Sequence, residues 1–551
     1  MRIAKLMRIA KRHGNWVSMI LAALAFAPSA HAEAPKKAVE TPKKVVAKME
    51  RHRANIDAFF SPDGPVAALS FEFAPEELAK IRKDPREYAE CTMTEAGGKT
   101  YRGVGVKLKG GRSFREIDAK PGMTVNMKKY SGGERFHGME KFHLNNAVQD
   151  ATYMHEIIAA EVCRAAGVPA GRGTHALVSV GGQTRGLYVF KEAYSEEFLA
   201  HFFADPTGDL YDGGRWVELT ETMEKDQGDD DERDNIKELI GACREADPAT
   251  RWKRLNAILD VDAYVSFTAV EALLSHHDGY NFNHNNYRVY FDPATGKAHF
   301  VHHGMDQAFG WQLSLLKGSA TLAWNAVFSN PEWHGRYRGR LQELYANAIQ
   351  PTDWSARIAA LGAKAQAALE KVDAKLAAEF PEKVATAQKQ VKERFDFVAD
   401  QLAHLPEPAA FGADGTLAVT SAWKSLKWSG ADIKFDRPTF ENAERLRIGT
   451  GKPGAGAWEA TLNLARGRYR VEGRVKTAGV VAGAEGKNPG VSFNARTKVG
   501  ARQFLKGDND WCVIGSEFET PGADVTLQLE FRAEHGEAWL DLESVRLVRL
   551  P

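Results

Sequence analysis

Four cysteines in 551 residues, Cys91, Cys163, Cys243 and Cys512, are too few and too far apart for a disulfide framework, and no CxxC spacing offers a metal knuckle. There is no HExxH pair, so a zinc centre of the helical protease type is excluded. Neither sign of charge is in excess: 73 Lys and Arg face 72 Asp and Glu, without the concentrated basic surface that a nucleic-acid binder needs. Long hydrophobic runs are also missing. The one apolar stretch, Trp16 to Ala27, is far short of the roughly 20 residues of a membrane span.

That short run has a function of its own. Arg2, Lys5, Arg8, Lys11 and Arg12 precede it without an acid, and Ala30-His31-Ala32 follows as a small-x-small cleavage site, the pattern of a secretory signal peptide over 1–32. Its removal takes the formal net charge from +1 to −4. The expectation is an exported chain, periplasmic or extracellular, with no transmembrane segment in its mature part and no nucleic acid among its partners. An uncleaved N-terminal anchor is the alternative.

A Lys-, Pro- and Ala-rich flexible leader is expected over 33–60. Alternating stretches then predict strands: VAALSFEF, and a hairpin turning at Gly97-Gly98. A helix from Ala151 to Ala166 ends at Gly167 and Pro169, and HALVSV and RGLYVFKE pair around Gly181-Gly182. The acidic EKDQGDDDERDN at 224–235 is expected to be a solvated loop. Helical pattern runs from Ile236 to Ser275, a hairpin turns at Pro293 to Gly296, and a helical extension fills 331–405, broken at Pro381. LPEP at 405–408 marks a boundary, after which short alternating segments in 410–551 predict a β-sandwich.

Six of the 17 histidines lie between His276 and His303, in HHDGYNFNHNNYRVY and HFVHHGMDQAFG. Adjacent residues on a strand face opposite sides, so at most one of His302 and His303 can serve a given site. A transition-metal site of His276 or His277, His303 and Asp306 is one reading. The second uses acids and amides: Asp278 and Asp306 flank a hairpin and can converge, and Asp with Asn is an oxygen ligand set suited to Mg²⁺. Protein kinases use such a set, with a strand lysine paired to a helix glutamate. The third reading makes these residues turn formers.

Several fragments in order, YRGVGVKLKGGRS, TVNMKKY, GMEKFHLNNAVQDATYMHEIIAAEVCRAAGVPAGR, GLYVFKE, GDLY and the NNYRVY…GMDQAFG segment, resemble the spore-coat-protein-H-like (CotH) kinase family over about 64–312. The resemblance implies an α+β chain: a two-lobed atypical protein-kinase-like domain over 61–330, then the helical extension and an all-β jelly-roll-like sandwich. It further implies ATP and Mg²⁺ as cofactors, and phosphoryl transfer to a Ser or Thr hydroxyl of an envelope or surface protein. On this resemblance Asp278 is the catalytic acid, and Asn286, or its neighbours Asn283 and Asn285, holds a metal with Asp306. Lys109 or Lys128 meets the phosphates, and Glu161 is the ion-pair partner, with Glu156 its competitor; both acids are alternatively solvated helix charges. Two departures stand out: relatives often carry Asp-x-Asp where this chain has Gly304-Met305-Asp306, and His155 stands where arginine is common.

The sandwich resembles carbohydrate-binding jelly rolls, with Trp423, Trp428, Trp458 or Trp511 as sugar-stacking candidates against a core role for each. Two readings compete with the kinase: a non-catalytic envelope or glycan-binding protein on a kinase-like scaffold, and a His/Asp metal-dependent enzyme.

Overall fold

Apolar residues, alternating with polar ones or running together where both faces are covered, mark seven segments in the N-terminal part of the chain. They are β1 (Ala67–Glu72), β2 (Ala89–Glu95), β3 (Thr100–Lys109), β4 (Gly122–Asn126), β5 (Lys141–Asn145), β6 (Gly173–Val180) and β7 (Gln183–Glu192). In the computed structural model they close into a barrel ordered β1-β2-β3-β4-β5-β7-β6, sealed by parallel pairing of β1 with β6. The structure describes residues 52–550 except 133, 230–232, 406–408, 421, 422, 441, 484–488, 497–502, 521 and 522. The signal peptide, most of the leader and most of the LPEP boundary therefore lie outside the described residues.

Leu69, Phe71, Val104, Val106, Leu108, Met123, Val125, Phe142, Leu144, Val178 and Phe190 fill the barrel. The tail of the expected leader belongs to this core. Residues 52–60 are helical and bury Ile56 and Phe59, the Phe59 ring lying 4.8 Å from that of Phe190. The opposite face of β6 and β7, Leu177, Leu187 and Val189, packs with the helix His155–Ala165 in a second core.

That second core carries the helical part of the chain. Asp247, Asp260, Asp353 and Asp373 each accept a backbone N–H at the start of Pro248–Ile258, Val261–Leu273, Trp354–Leu369 and Ala374–Ala403. Val261–Leu273 is buried on nearly every side, Asp262 at its first turn being exposed, and it takes Ser266, Thr268 and Glu271 into the core with its apolar residues. The expected break at Pro381 is absent, for Pro381 lies inside Ala374–Ala403. Burial of Ala377, Phe380, Ala387 and Val391 along that helix outweighs the one lost hydrogen bond. A small sheet, β11 (Lys297–His302), β10 (Tyr287–Asp292), β8 (Leu210–Asp212) and β9 (Glu224–Gln227), completes this half. The 224–235 stretch is thus strand at its start, and Asp226 in it is ion-paired to Arg288 at 2.8 Å.

Beyond residue 410, two antiparallel sheets share one core. One contains Ala443–Thr450, Gly467–Val481, Gly507–Thr520 and His535–Leu550; the other contains Lys424–Ser429, Gly454–Leu464, Gly490–Ala495 and Ala523–Ala533. Trp423 and Trp458 are buried in that core, which removes them as sugar platforms, while Trp428 and Trp511 are half-buried. The sandwich meets the rest of the chain through Asp524, whose carboxylate accepts from Ser314 Oγ at 2.8 Å and whose N–H donates to Leu316 at 3.1 Å.

Among the described residues no helix is long and apolar enough to cross a membrane. The described cysteines are unpaired, with Cys91, Cys163 and Cys243 buried.

Candidate functional site

Barrel closure builds one wall of a cleft. Pairing aligns Lys107 with Thr124, Thr124 with His143 and His143 with Lys191, so one row of side chains crosses β3, β4, β5 and β7. Lys109 extends that wall and donates to Asn145 Oδ1 at 2.7 Å. The turn after it, Gly110 at φ +108°, is held by Arg86, which donates to the carbonyls of Leu108 and Gly110 at 3.1 and 2.7 Å. Burial, aided by the nearby Lys191 ammonium, pushes Lys109 down to about 8. Lys191 itself forms a buried ion pair with Glu156 of the helix His155–Ala165. Burial works to lower the lysine, and Glu156 more than reverses it, holding the ammonium above its ordinary value. The second oxygen of Glu156 is buried without a hydrogen-bond partner.

The facing wall comes from the loop that follows Val261–Leu273 and from the exit of β11. Asp278 is gripped by amides: Asn283 Nδ2 donates to Oδ1 at 2.5 Å, and Asn285 and Asn286 Nδ2 donate to Oδ2 at 3.0 and 2.9 Å. Asn286 also donates to the Asp278 carbonyl at 3.0 Å and accepts His303 N–H on its own carbonyl at 3.2 Å. The backbone here is strained: Ser275, His284, Asn286 and Phe309 all have φ between 50° and 66°. Gly304, at φ +59°, faces Asn286 so closely that a Cβ would sit 2.3 Å from its Oδ1. The position read as a missing acid is therefore one the amide of Asn286 already fills. Two residues on, Asp306 is pushed up to about 7 by burial and by the Glu156 and Asp150 carboxylates.

Lys109, Asp278, Asn283, Asn286 and Asp306 all line this one cleft of about 880 Å³. Lys128 and Glu161 do not. Lys128 pairs with Glu140 at 2.9 Å, and Glu161 with Arg357 at 2.6 Å, each within its own patch of partly exposed surface. The lysine and glutamate that do pair at the cleft are Lys191 and Glu156. Lys191 and His143 escaped the sequence reading, although a lysine on the apolar parity of GLYVFKE was a visible signal. Arg288, bound to Asp212 and Asp226 at 2.6 and 2.8 Å, was missed as well.

The histidines divide as adjacency requires. His302 stacks on Phe267 at 3.8 Å and bonds its carbonyl at 3.0 Å, while His303 lines the cleft from the other side of the strand. Among the described residues no three His, Cys, Asp or Glu side chains gather as a metal centre. The His/Asp metalloenzyme reading thus lacks its ligand set.

Acids, amides and buried lysines thus line one cleft, a donor set whose chemistry suits hard cations and anionic groups. The chain belongs to the family described as CotH kinase protein, whose model matches residues 106–405, more than half of its length. No curated protein matches it. Solved structures share a quarter of the chain at low similarity. TmCBM61 in complex with β-1,4-galactotriose is 12% identical over 24% of this chain and 92% of its own, with a TM-score of 0.18. The CBM22-1 xylan-binding domain of Xyn10C from Paenibacillus barcinonensis is 13% identical over 24% and 92%, with a TM-score of 0.17. The family 11 carbohydrate-binding module of Lic26A-Cel5E from Clostridium thermocellum is 13% identical over 26% and 96%, with a TM-score of 0.15. These values are too low to carry any argument about ligand.

Proposed function

We propose that the chain is an exported atypical kinase with a two-lobed, kinase-like catalytic unit, transferring the γ-phosphoryl group of ATP to a Ser or Thr hydroxyl of an envelope or surface protein. The observation that carries this reading is that Asp278, its asparagines and Asp306 share one cleft with Lys109 and the Lys191–Glu156 pair. Family membership supports it.

The residues fit Mg²⁺ and a nucleotide. Asp306 and the amide oxygens of Asn283 and Asn286 are hard donors, and the raised proton affinity of Asp306 marks a buried spot short of positive charge. When bound, the cation neutralises charge on the transferring phosphoryl group. Lys109, at the Gly110-Gly111 turn, is the ligand for the phosphates, and Lys191 is held ready beside it by Glu156. Asp278, fixed by three amides, orients the acceptor hydroxyl and takes its proton. The sandwich is the targeting module, with Trp428 or Trp511 taking an envelope glycan.

The test is transfer from labelled ATP with Mg²⁺ by the chain without residues 1–32, beside Asp278→Asn and Asp306→Asn. Each substitution should reduce transfer by at least about a hundredfold, the usual scale for a general base or a metal ligand. Absence of nucleotide binding at millimolar ATP would defeat the proposal and leave the non-catalytic scaffold.

A further inference from the structure

Among the described residues Arg394 is the largest fully buried side chain, and it has no carboxylate partner there. A buried guanidinium must place its N–H groups on acceptors, and those it has chosen are informative. Nε donates to the carbonyl of Leu273 at 3.0 Å and Nη2 to that of Ala272 at 2.6 Å. These two carbonyls end the helix Val261–Leu273, where the helix dipole is negative, and the Ala272 carbonyl also accepts Ser275 N–H at 3.0 Å. Nη1 turns the other way, to the Leu313 carbonyl at 3.0 Å and Gln312 Oε1 at 3.2 Å.

The first pair of acceptors lies just upstream of Asp278, the second just downstream of Asp306. The two segments also touch directly, Phe309 N–H donating to the Leu274 carbonyl at 2.9 Å. Gln401, two turns along the same long helix, adds a bond from Leu315 N–H at 3.0 Å. A planar fork can bridge two backbone segments at fixed angles; a lysine, a flexible point charge, cannot.

We propose that Arg394 is a positioning residue for the cleft: from the helix Ala374–Ala403, its guanidinium locks the end of the helix that delivers Asp278 to the strap that follows Asp306. It touches neither acid, and acts by fixing their relative placement. The catalytic half of this inference rests on the kinase reading; the strut itself does not.

The experiment compares the chain lacking residues 1–32 with Arg394→Lys, Arg394→Met and the control Val391→Ala, a buried apolar truncation on the same helix. Hydrogen exchange should quicken by about tenfold or more in segments 274–286 and 304–313 of both Arg394 variants, with barrel amides unchanged and Val391→Ala leaving those segments slow. Transfer from ATP should fall by about tenfold or more in kcat for Arg394→Lys, with KM for ATP within about twofold. Uniformly faster exchange, or exchange unchanged in both segments, overturns the strut. Faster local exchange with unchanged kcat overturns the positioning role. Wild-type protein inactive on ATP defeats the kinase reading and with it the catalytic half, while exchange still decides the strut.

Discussion

Replacing Gly304 with aspartate would supply the acid that the family resemblance leads one to expect there, and the structure predicts that it damages the site. Two local effects set the magnitude. The backbone at Gly304 is left-handed at φ +59°, which costs a residue with a Cβ about 1–2 kcal/mol, toward the lower end for aspartate. The new Cβ would also lie 2.3 Å from Asn286 Oδ1 and 2.5 Å from its Cγ, so the amide must swing away. That motion breaks the 2.9 Å bond to the Asp278 carboxylate and the 3.0 Å bond to its carbonyl, about 1.5–3 kcal/mol for a hydrogen bond to a charged group. The total is about 2.5–5 kcal/mol of stability. Urea denaturation of Gly304→Asp, with Gly304→Ala to separate the Cβ from the charge, measures it. Both variants should lose stability, and Gly304→Asp should lose transfer as well. An aspartate variant as stable as the parent and more active would show that Asn286 yields freely and that glycine is a vacancy after all.

Lys191→Met strands Glu156 as an uncompensated buried charge and should cost about 3–5 kcal/mol, most of it recovered in Lys191→Met/Glu156→Gln, by urea denaturation. Glu271, fully buried and accepting from Asn281 N–H at 3.0 Å, is pushed up to about 8 by burial. The folded chain therefore binds that proton more tightly than the unfolded one, whose glutamate titrates near 4.3. Its contribution to stability is full below about pH 4.3 and is lost as pH rises through about 8. Glu271→Gln should remove a stability difference on the order of a few kcal/mol between pH 5 and 8.5; a parallel pH profile for variant and parent would contradict it.

The acids and amides of the cleft were legible because they lie in short contiguous segments around one hairpin, where local order and a family pattern coincide. The ion pair was legible only in part: Lys109 and Glu156 were candidates, and Lys191 was not. Choosing Lys191 over Lys128 requires knowing that β5 pairs with β7 rather than with β6, and only that pairing sets Lys191 beside His143. Glu156 and Glu161 differ by five residues, more than a turn of helix, so they point to different surroundings; sequence offers both and packing selects Glu156. Pro381 misled for a similar reason, since aspartate caps at Asp353 and Asp373, not proline, mark the helix starts here. The charge run at 224–235 was read as solvated because its partner, Arg288, is more than fifty residues away. Arg394 gave no signal at all, for its acceptors are neutral carbonyls.

The seam between β1 and β6 has a practical consequence. The family match begins at residue 106, inside β3, so the two strands that complete the barrel precede it. A fragment cut at that boundary would leave the remnant of β3, without β2, and β6, without β1, as open, apolar-backed edges, the kind that pair with other chains and precipitate. Trimmed versions of this protein should start before Ala67, and preferably before the helix at 52–60 whose Phe59 enters the barrel. An inactive shorter piece would report a broken barrel and nothing about Asp278.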